Sequence, residues 1–151
     1  MPTEAELEYA LRGGTTTARW WGNDADQACA YANVADRTAK SLLGTKDWAI
    51  HNCNDGHAYT APVGSFKANG FGLFDAIGNA WVWAEDCWHD GYSGAPADGS
   101  ACTRGGDCGK RVLRGGSWDD TPRVARSARR NRDDVAARDG EFGFRLVRTL
   151  P

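Results

Sequence analysis

Five cysteines, three histidines and an arginine-rich C-terminal stretch are the side chains here with the most chemistry to offer. The cysteines stand at 29, 53, 87, 102 and 108. An odd count leaves at least one without an intramolecular partner. No pair is spaced C-x-x-C, so neither a zinc ribbon nor a thioredoxin-type motif is indicated. His51, Cys53 and His57 could be imagined around zinc, but no second tight pair completes a tetrahedron. Zinc is therefore not expected. Ser117 has no histidine near it in sequence, and reads as a turn residue rather than a triad nucleophile.

Residues 119–141 hold six arginines interleaved with acidic residues. Guanidinium forks bind carboxylate or phosphate bidentately, so this stretch could meet an anionic partner or pair internally. Residues 1–103 carry 6 basic and 13 acidic side chains, a net of −7, and residues 104–151 carry 12 and 7, a net of +5. Ion pairing between the two parts is the expected use of that asymmetry. Nucleic-acid binding is the other reading of the basic part. No aromatic lies between Trp118 and Phe142, which argues against a single-strand stacking platform.

Elements must hold these groups in place. A chain of 151 residues is one domain by length and large enough to bury its own core. Glycine at 19 and tryptophan at 7 suggest loops pinned by large aromatics rather than a helical bundle. Thr3 and Glu6 make a capping box for a helix carrying Leu7, Ala10 and Leu11, stopped at Gly13-Gly14. Residues 15–60 read as irregular. Strands are expected at Ala80–Ala84, at Arg111–Arg114 and from Phe142 through Val147, where apolar residues alternate. Trp81 and Trp83 are expected in the core. Trp20 and Trp21, beside a glycine turn, are expected there too. Residues 119–141 show no strong periodicity. The result is an α+β domain. No apolar run approaches a membrane span and no signal peptide precedes Pro2, so the cytoplasm is the default location and nothing more about location is expected.

Several motifs together resemble the second half of the formylglycine-generating-enzyme, or sulfatase-modifying factor, domain. They are Pro2-Thr3-Glu4-Ala5-Glu6-Leu7-Glu8-Tyr9-Ala10 with Arg12-Gly13-Gly14, Thr60-Ala61-Pro62-Val63-Gly64, and Phe71-Gly72-Leu73-Phe74-Asp75. Gly78-Asn79-Ala80-Trp81, Arg114-Gly115-Gly116-Ser117-Trp118 and Gly143-Phe144-Arg145 follow in the family's order. The resemblance implies a C-type-lectin-like fold with little regular structure, as a single domain over residues 1–151 lacking the family's N-terminal portion. It also implies that Arg126 and Arg129 pair with neighbouring aspartates, while Asp119, Asp120, Arg123, Arg138, Asp139 and Glu141 are exposed.

The same resemblance bears on chemistry. The oxidase members use a cysteine pair shortly after the Gly-Gly-Ser motif. The first would fall near Asp120, and no cysteine follows Cys108 here. A carboxylate neither holds copper(I) as a thiolate does nor exchanges disulfides. Formylglycine generation is therefore not expected. Neither is the three-histidine iron chemistry of related sulfoxide synthases, because His51, His57 and His89 do not match that motif. A calcium site is implied at Asn33, Val34, Asp55 and His57, with side-chain oxygens from Asn33 and Asp55 and carbonyls from Val34 and His57. A second would use Asp75, Gly78 and Ala80, but Val82 replaces its glutamate. A disulfide Cys29–Cys53 would tie the two calcium-bearing loops together, and Cys87–Cys108 would close the 89–109 loop and leave Cys102 over. Other connectivities, or five reduced cysteines, remain open.

Residues 111–148 also resemble the variable region of diversity-generating-retroelement proteins, which share this fold. There, adenine-directed mutagenesis varies surface residues while Arg-Gly-Gly-Ser-Trp and Gly-Phe-Arg hold the frame. The expectation is a non-catalytic, calcium-stabilised module that binds a protein or other macromolecule through Trp118, Asp119, Asp120, Arg123, Arg138, Asp139 and Glu141. The alternative is a truncated oxidoreductase that needs a partner chain.

Overall fold

The computed structural model describes residues 1–44 and 47–148. Helix α1 (Glu4–Arg12) forms where the capping box places it. Thr3 Oγ1 accepts from the Glu6 amide, and the Glu6 carboxylate accepts from the Thr3 amide at 2.8 Å. Gly13 ends the helix in the left-handed conformation. Leu7 and Leu11 face inward.

Residues 15–60 are less irregular than expected. A 3₁₀ turn (Ala25–Ala30) starts at Asp24, whose side chain caps the Asp26 amide. Helix α2 (Arg37–Leu43) starts at Asp36, which caps Ala39 at 2.9 Å, and stops at Gly44. Both are too short to show a helical period, so only their aspartate caps mark them.

The sheet has four strands in the order β3-β2-β1-β4. Strand β1 (Trp81–Trp88) pairs antiparallel with β2 (Asp107–Arg114), with register shifts between Trp83 and Trp88. Strand β3 (Arg130–Asp134) pairs antiparallel with β2, from Lys110↔Asp134 to Arg114↔Arg130. Its charged sequence has no apolar alternation, so a strand inside residues 119–141 was not expected. Backbone pairing and its cationic side chains hold it instead. Strand β4 is only Phe142–Gly143, parallel to β1. The longer strand expected through Val147 does not form. Phe144 is 71% exposed and Leu146 82% exposed, so the alternation finds no second layer to bury it.

One core cluster holds Ala28, Ala32, Val34, Ile77 and Ala125, with Trp20 and Trp21 packed against it. The other holds Leu7, Val82, Ala84 and Val112 under α1, with Trp88 alongside. Small residues line both, and tryptophans fill what they leave. Trp81 is buried as expected, and Trp83 is half-buried against Phe142, with ring centroids 5.4 Å apart.

Charge joins the two parts of the chain. Arg114 is fully buried and pairs with Glu4 at 3.2 Å and with Glu8. Arg130 binds Glu4 through Nε at 2.6 Å and Nη2 at 2.9 Å, with its guanidinium over the Trp88 and Tyr92 rings. Arg132 reaches Asp90. The internal pairing expected from the charge asymmetry is present. Arg126 and Arg129 take no part in it: neither makes an ion pair with an aspartate among the described residues, and Arg126 Nε is buried without a partner.

Candidate functional site

The disulfides are Cys29–Cys53 and Cys87–Cys108, with Cys102 free. Cys53 therefore has no thiolate to offer a metal, which removes the imagined cluster with His51 and His57. His51 is fully buried, with Nδ1 2.6 Å from the Ala25 carbonyl. Burial pushes its pKa down. The cluster of Cys29, Asp36 and Asp55 is likewise no thiolate site. Asp36 caps α2 through Oδ1 and accepts the Asp55 amide through Oδ2.

Asn33, Val34, Asp55 and His57 come together beside that disulfide. Asp55 accepts from the Val34 amide at 3.0 Å and from the His57 amide at 2.8 Å. Burial raises its carboxyl to about 6, and the neighbouring Asp36 charge adds to this against the two amides. Asn33 is fully buried. Its amide nitrogen donates to the Tyr59 carbonyl at 2.8 Å and to Asn79 Oδ1 at 3.0 Å. Asn33 Oδ1 is left buried with no partner. An orphaned amide oxygen near a desolvated carboxylate suits a hard cation.

Asn79 is the residue that sequence reasoning missed. It exchanges hydrogen bonds with Ala61 in both directions, from the Ala61 amide to Oδ1 at 2.8 Å and from Nδ2 to the Ala61 carbonyl at 3.2 Å. Its amide donates to the Asn33 carbonyl at 2.9 Å. It adopts φ 65°, and the Gly-Asn pair before a strand was the available signal. Gly78 beside it is required: φ is 79°, and a Cβ there would lie 2.2 Å from the Asn33 carbonyl oxygen.

Of the second expected cation set, Asp75 accepts from the Gly64 amide at 2.8 Å through Oδ2, while its buried Oδ1 has no partner. Gly78 and Ala80 line the same groove, and Val82 stands there without an oxygen to offer.

The expected ligand surface divides. Asp120 was expected to be exposed, but it is half-buried and turned inward. Its carboxylate accepts from the Ser117 amide at 2.7 Å, the Ser117 hydroxyl lies 2.5 Å from Asp119 Oδ1 and 2.9 Å from Asp120 Oδ2, and burial raises the Asp120 pKa. It braces the bend that Ser117 was expected to form. Trp118 is half-buried with its ring against Tyr59, centroids 5.1 Å apart. The Asp119 carboxylate lies close to that of Glu141. Burial, and then the neighbouring carboxylates of Asp119, Asp139 and Asp120, push Glu141 up to about 7. Asp139 Oδ1 also caps the Glu141 amide at 3.1 Å. Asp119, Asp139 and Glu141 are thus gathered, residues 119 and 141 meeting across 22 positions. Arg123 and Arg138 are exposed, and neither joins these carboxylates in an ion pair among the described residues.

Comparison with known proteins places this arrangement. The sulfatase-modifying factor enzyme 1-like domain matches residues 1–150. The formylglycine-generating enzyme of Streptomyces coelicolor is 32% identical over 97% of this chain and 46% of its own length. PvdO from Pseudomonas aeruginosa superposes with a TM-score of 0.76 at 35% identity, over 95% of this chain and 50% of that one. Treponema denticola variable protein 1 superposes with a TM-score of 0.74 at 28% identity, over 95% and 45%. These likenesses bear out the expected α+β, C-type-lectin-like fold and the resemblance to variable proteins. The chain spans between 21% and 50% of the length of the curated relatives it matches. No helix among the described residues is long and apolar enough to cross a membrane. The scaffold motifs, their order and the fold agree: this chain belongs to the sulfatase-modifying factor enzyme 1-like, or formylglycine-generating-enzyme, domain family.

Proposed function

We propose that this chain is a non-catalytic binding module whose partner surface lies on residues 118–141 and whose loops are braced by calcium. The observation that carries the reading is a division of labour in the C-terminal segment. Arg114, Gly115, Gly116 and Ser117 are buried, Asp120 hydrogen-bonds Ser117, and Arg145 donates to the Phe74 and Asp75 carbonyls at 2.7 Å. Arg123, Arg138 and Asp139 are exposed, and Trp118, Asp119 and Glu141 partly so. A fixed frame with variable positions between its struts is what a changeable binding surface needs. The mixed charge and the Trp118–Tyr59 pair suit a protein target. Likeness to a protein named as variable supports the same view.

Sequencing the DNA flanking the gene tests it. A near-copy of codons 111–148 that differs at adenines, beside a reverse transcriptase, is the expected finding. The differing codons should include those of Asp119, Arg123, Arg138, Asp139 and Glu141 and spare Arg114, Ser117, Trp118 and Asp120. Differences concentrated in the buried frame would overturn the reading.

Calcium is proposed at Asn33, Val34, Asp55 and His57, supported by the partnerless Asn33 oxygen and the desolvated Asp55. Bound there, it would supply a charge that holds two loops together. Asp75, Gly78 and Ala80 make a weaker second set, with one carboxylate between them.

A second reading has one observation in its favour: the curated relatives include formylglycine-generating enzymes, and this chain spans about half of those from Streptomyces coelicolor and Mycobacterium tuberculosis. It would then be part of an oxidase completed by another chain. Four of its five cysteines are in disulfides, so the thiol pair would have to come from that partner. Incubation with a cysteine-containing sulfatase peptide, oxygen and copper, read by mass spectrometry for the aldehyde, distinguishes the two readings.

A further inference from the structure

A second cavity lies between α1 and the loop that follows β1, at the far end of β1 from Trp81. It has a volume of about 390 Å³. That is within the range of small-molecule sites. Tyr9, Tyr92 and Pro96 give it apolar walls, and Cys102 and His89 both line it. The carboxylates around it already have partners. Glu4 is held by Arg114 and Arg130, and Glu8 by Arg12 and Arg114. Asp86 accepts from the Glu4 amide at 2.7 Å and the Cys102 amide at 2.8 Å. The chemistry left in the cavity is the thiol and the imidazole.

Their geometry is specific. Cys102 is free and half-buried, and its Sγ lies 3.5 Å from His89 Nε2. His89 Nδ1 is 3.0 Å from the Cys87 carbonyl. That carbonyl can only accept, so it orients the ring for the tautomer with the proton on Nδ1, in which Nε2 presents its lone pair to the thiol. The Arg104 carbonyl lies 3.0 Å from Nε2. Beside a bare Nε2 its donor is the Cys102 thiol, 3.9 Å away. Once the thiol proton has moved to Nε2, it accepts that N–H. The backbone thus holds a waiting acceptor for the product of the proton transfer. A nucleophile, a base within reach and a group orienting the base are all present. Cys102 is also fixed from the backbone, since its carbonyl accepts the Cys87 amide at 2.9 Å.

We propose that Cys102 and His89 form a thiol-exchange site for a small-molecule disulfide, which seats one of its halves in this cavity. His89 Nε2 takes the Cys102 proton. The thiolate attacks one sulfur of the small disulfide, forming a Cys102–sulfur bond as the original sulfur–sulfur bond breaks. The departing thiolate takes the proton back from Nε2. Cys102 is oxidised to a mixed disulfide, and half of the small disulfide is reduced to free thiol. No other oxidant is needed. The site does not depend on the partner surface at 118–141.

The test uses oxidised glutathione as the probe and intact-mass spectrometry as the readout. The reference is a free peptide with the sequence of residues 98–106, which carries Cys102 without His89. One glutathionyl adduct per chain is expected, mapped to Cys102 and absent from Cys102→Ser. At pH 7 it should form at least about threefold faster than on the peptide, because the cavity seats the disulfide and His89 takes the thiol proton. His89→Gln, which cannot take the proton, should fall to the peptide's rate or below. A wild-type rate no faster than the peptide's, an adduct on Cys87 or Cys108 instead, or a folded His89→Gln that keeps the wild-type rate would each overturn the proposal. Should His89→Gln fail to fold, the ratio of wild type to peptide decides alone.

Discussion

Asn33 donates its amide nitrogen to Asn79 Oδ1 at 3.0 Å, across 46 positions of sequence, and this bond leaves Asn33 Oδ1 buried without a partner. One asparagine thereby orients the other. Asn79 itself is pinned to Ala61 through both ends of its amide. An oxygen held in place and unsatisfied is costly unless something binds it.

Calcium should supply that partner. At a hundredfold excess over its dissociation constant, a ligand of the folded state alone stabilises by about 2.7 kcal/mol. For a domain of this size the melting temperature should then rise by roughly 5–10 °C. Thermal melts with calcium and with chelator measure it. Asn33→Ala or Asp55→Asn should remove the response. An unchanged melting temperature in wild type removes the calcium site.

Glu4 is 6% exposed and anchors Arg114, Arg130 and the Tyr92 hydroxyl. Glu4→Gln keeps the shape and takes away the charge. Arg114, fully buried, would retain only Glu8 as a countercharge. Breaking a buried ion network from one side costs about 3–5 kcal/mol. Urea unfolding of the variant should show a loss of that order, far more than the removal of the exposed Arg132–Asp90 pair.

Glu141 sets a pH dependence. Its carboxyl is pushed up to about 7 in the folded chain, above its ordinary 4.5. Between those values the folded state holds more protons than the unfolded state. Stability from this group is therefore full below about 4.5 and is lost as the pH rises through 7. Melting temperatures from pH 4.5 to 8 should fall less steeply in Glu141→Gln than in wild type. Parallel curves would show that the Glu141 carboxyl is not raised by folding.

Gly78→Ala tests the close approach of the two asparagine loops. The added Cβ would meet the Asn33 carbonyl oxygen in a left-handed backbone region. A loss of at least about 2 kcal/mol is expected from the clash and the strain together. The calcium response should weaken with it, because the clash displaces the residue whose oxygen is unsatisfied.

Much of the frame is legible in the chain itself. Local chemistry is enough for α1, since Thr3, Glu6 and Gly13 act within a few residues of one another. The motifs around Thr60, Phe71, Gly78, Arg114 and Gly143 carry the family and hence the fold, which the match over residues 1–150 bears out. The disulfides are the pairs that the cysteines' places suggest, Cys29 and Cys53 just before Asn33 and Asp55 and Cys87 and Cys108 around residues 89–109.

Long-range pairing decided the rest. Strand β3 has no apolar alternation and exists because β2 offers it a backbone edge. The end of the chain has that alternation and makes only two strand residues, because nothing covers Phe144 and Leu146. Asp120 looks like a surface acid until the bend at Gly115-Gly116 turns it onto Ser117. Glu141 acquires its raised pKa, and His89 its thiol, from neighbours brought near by folding. Residue type settles what a side chain can donate, accept or titrate. Which partner it meets, and how much water is left around it, is settled by contacts between distant parts of the chain.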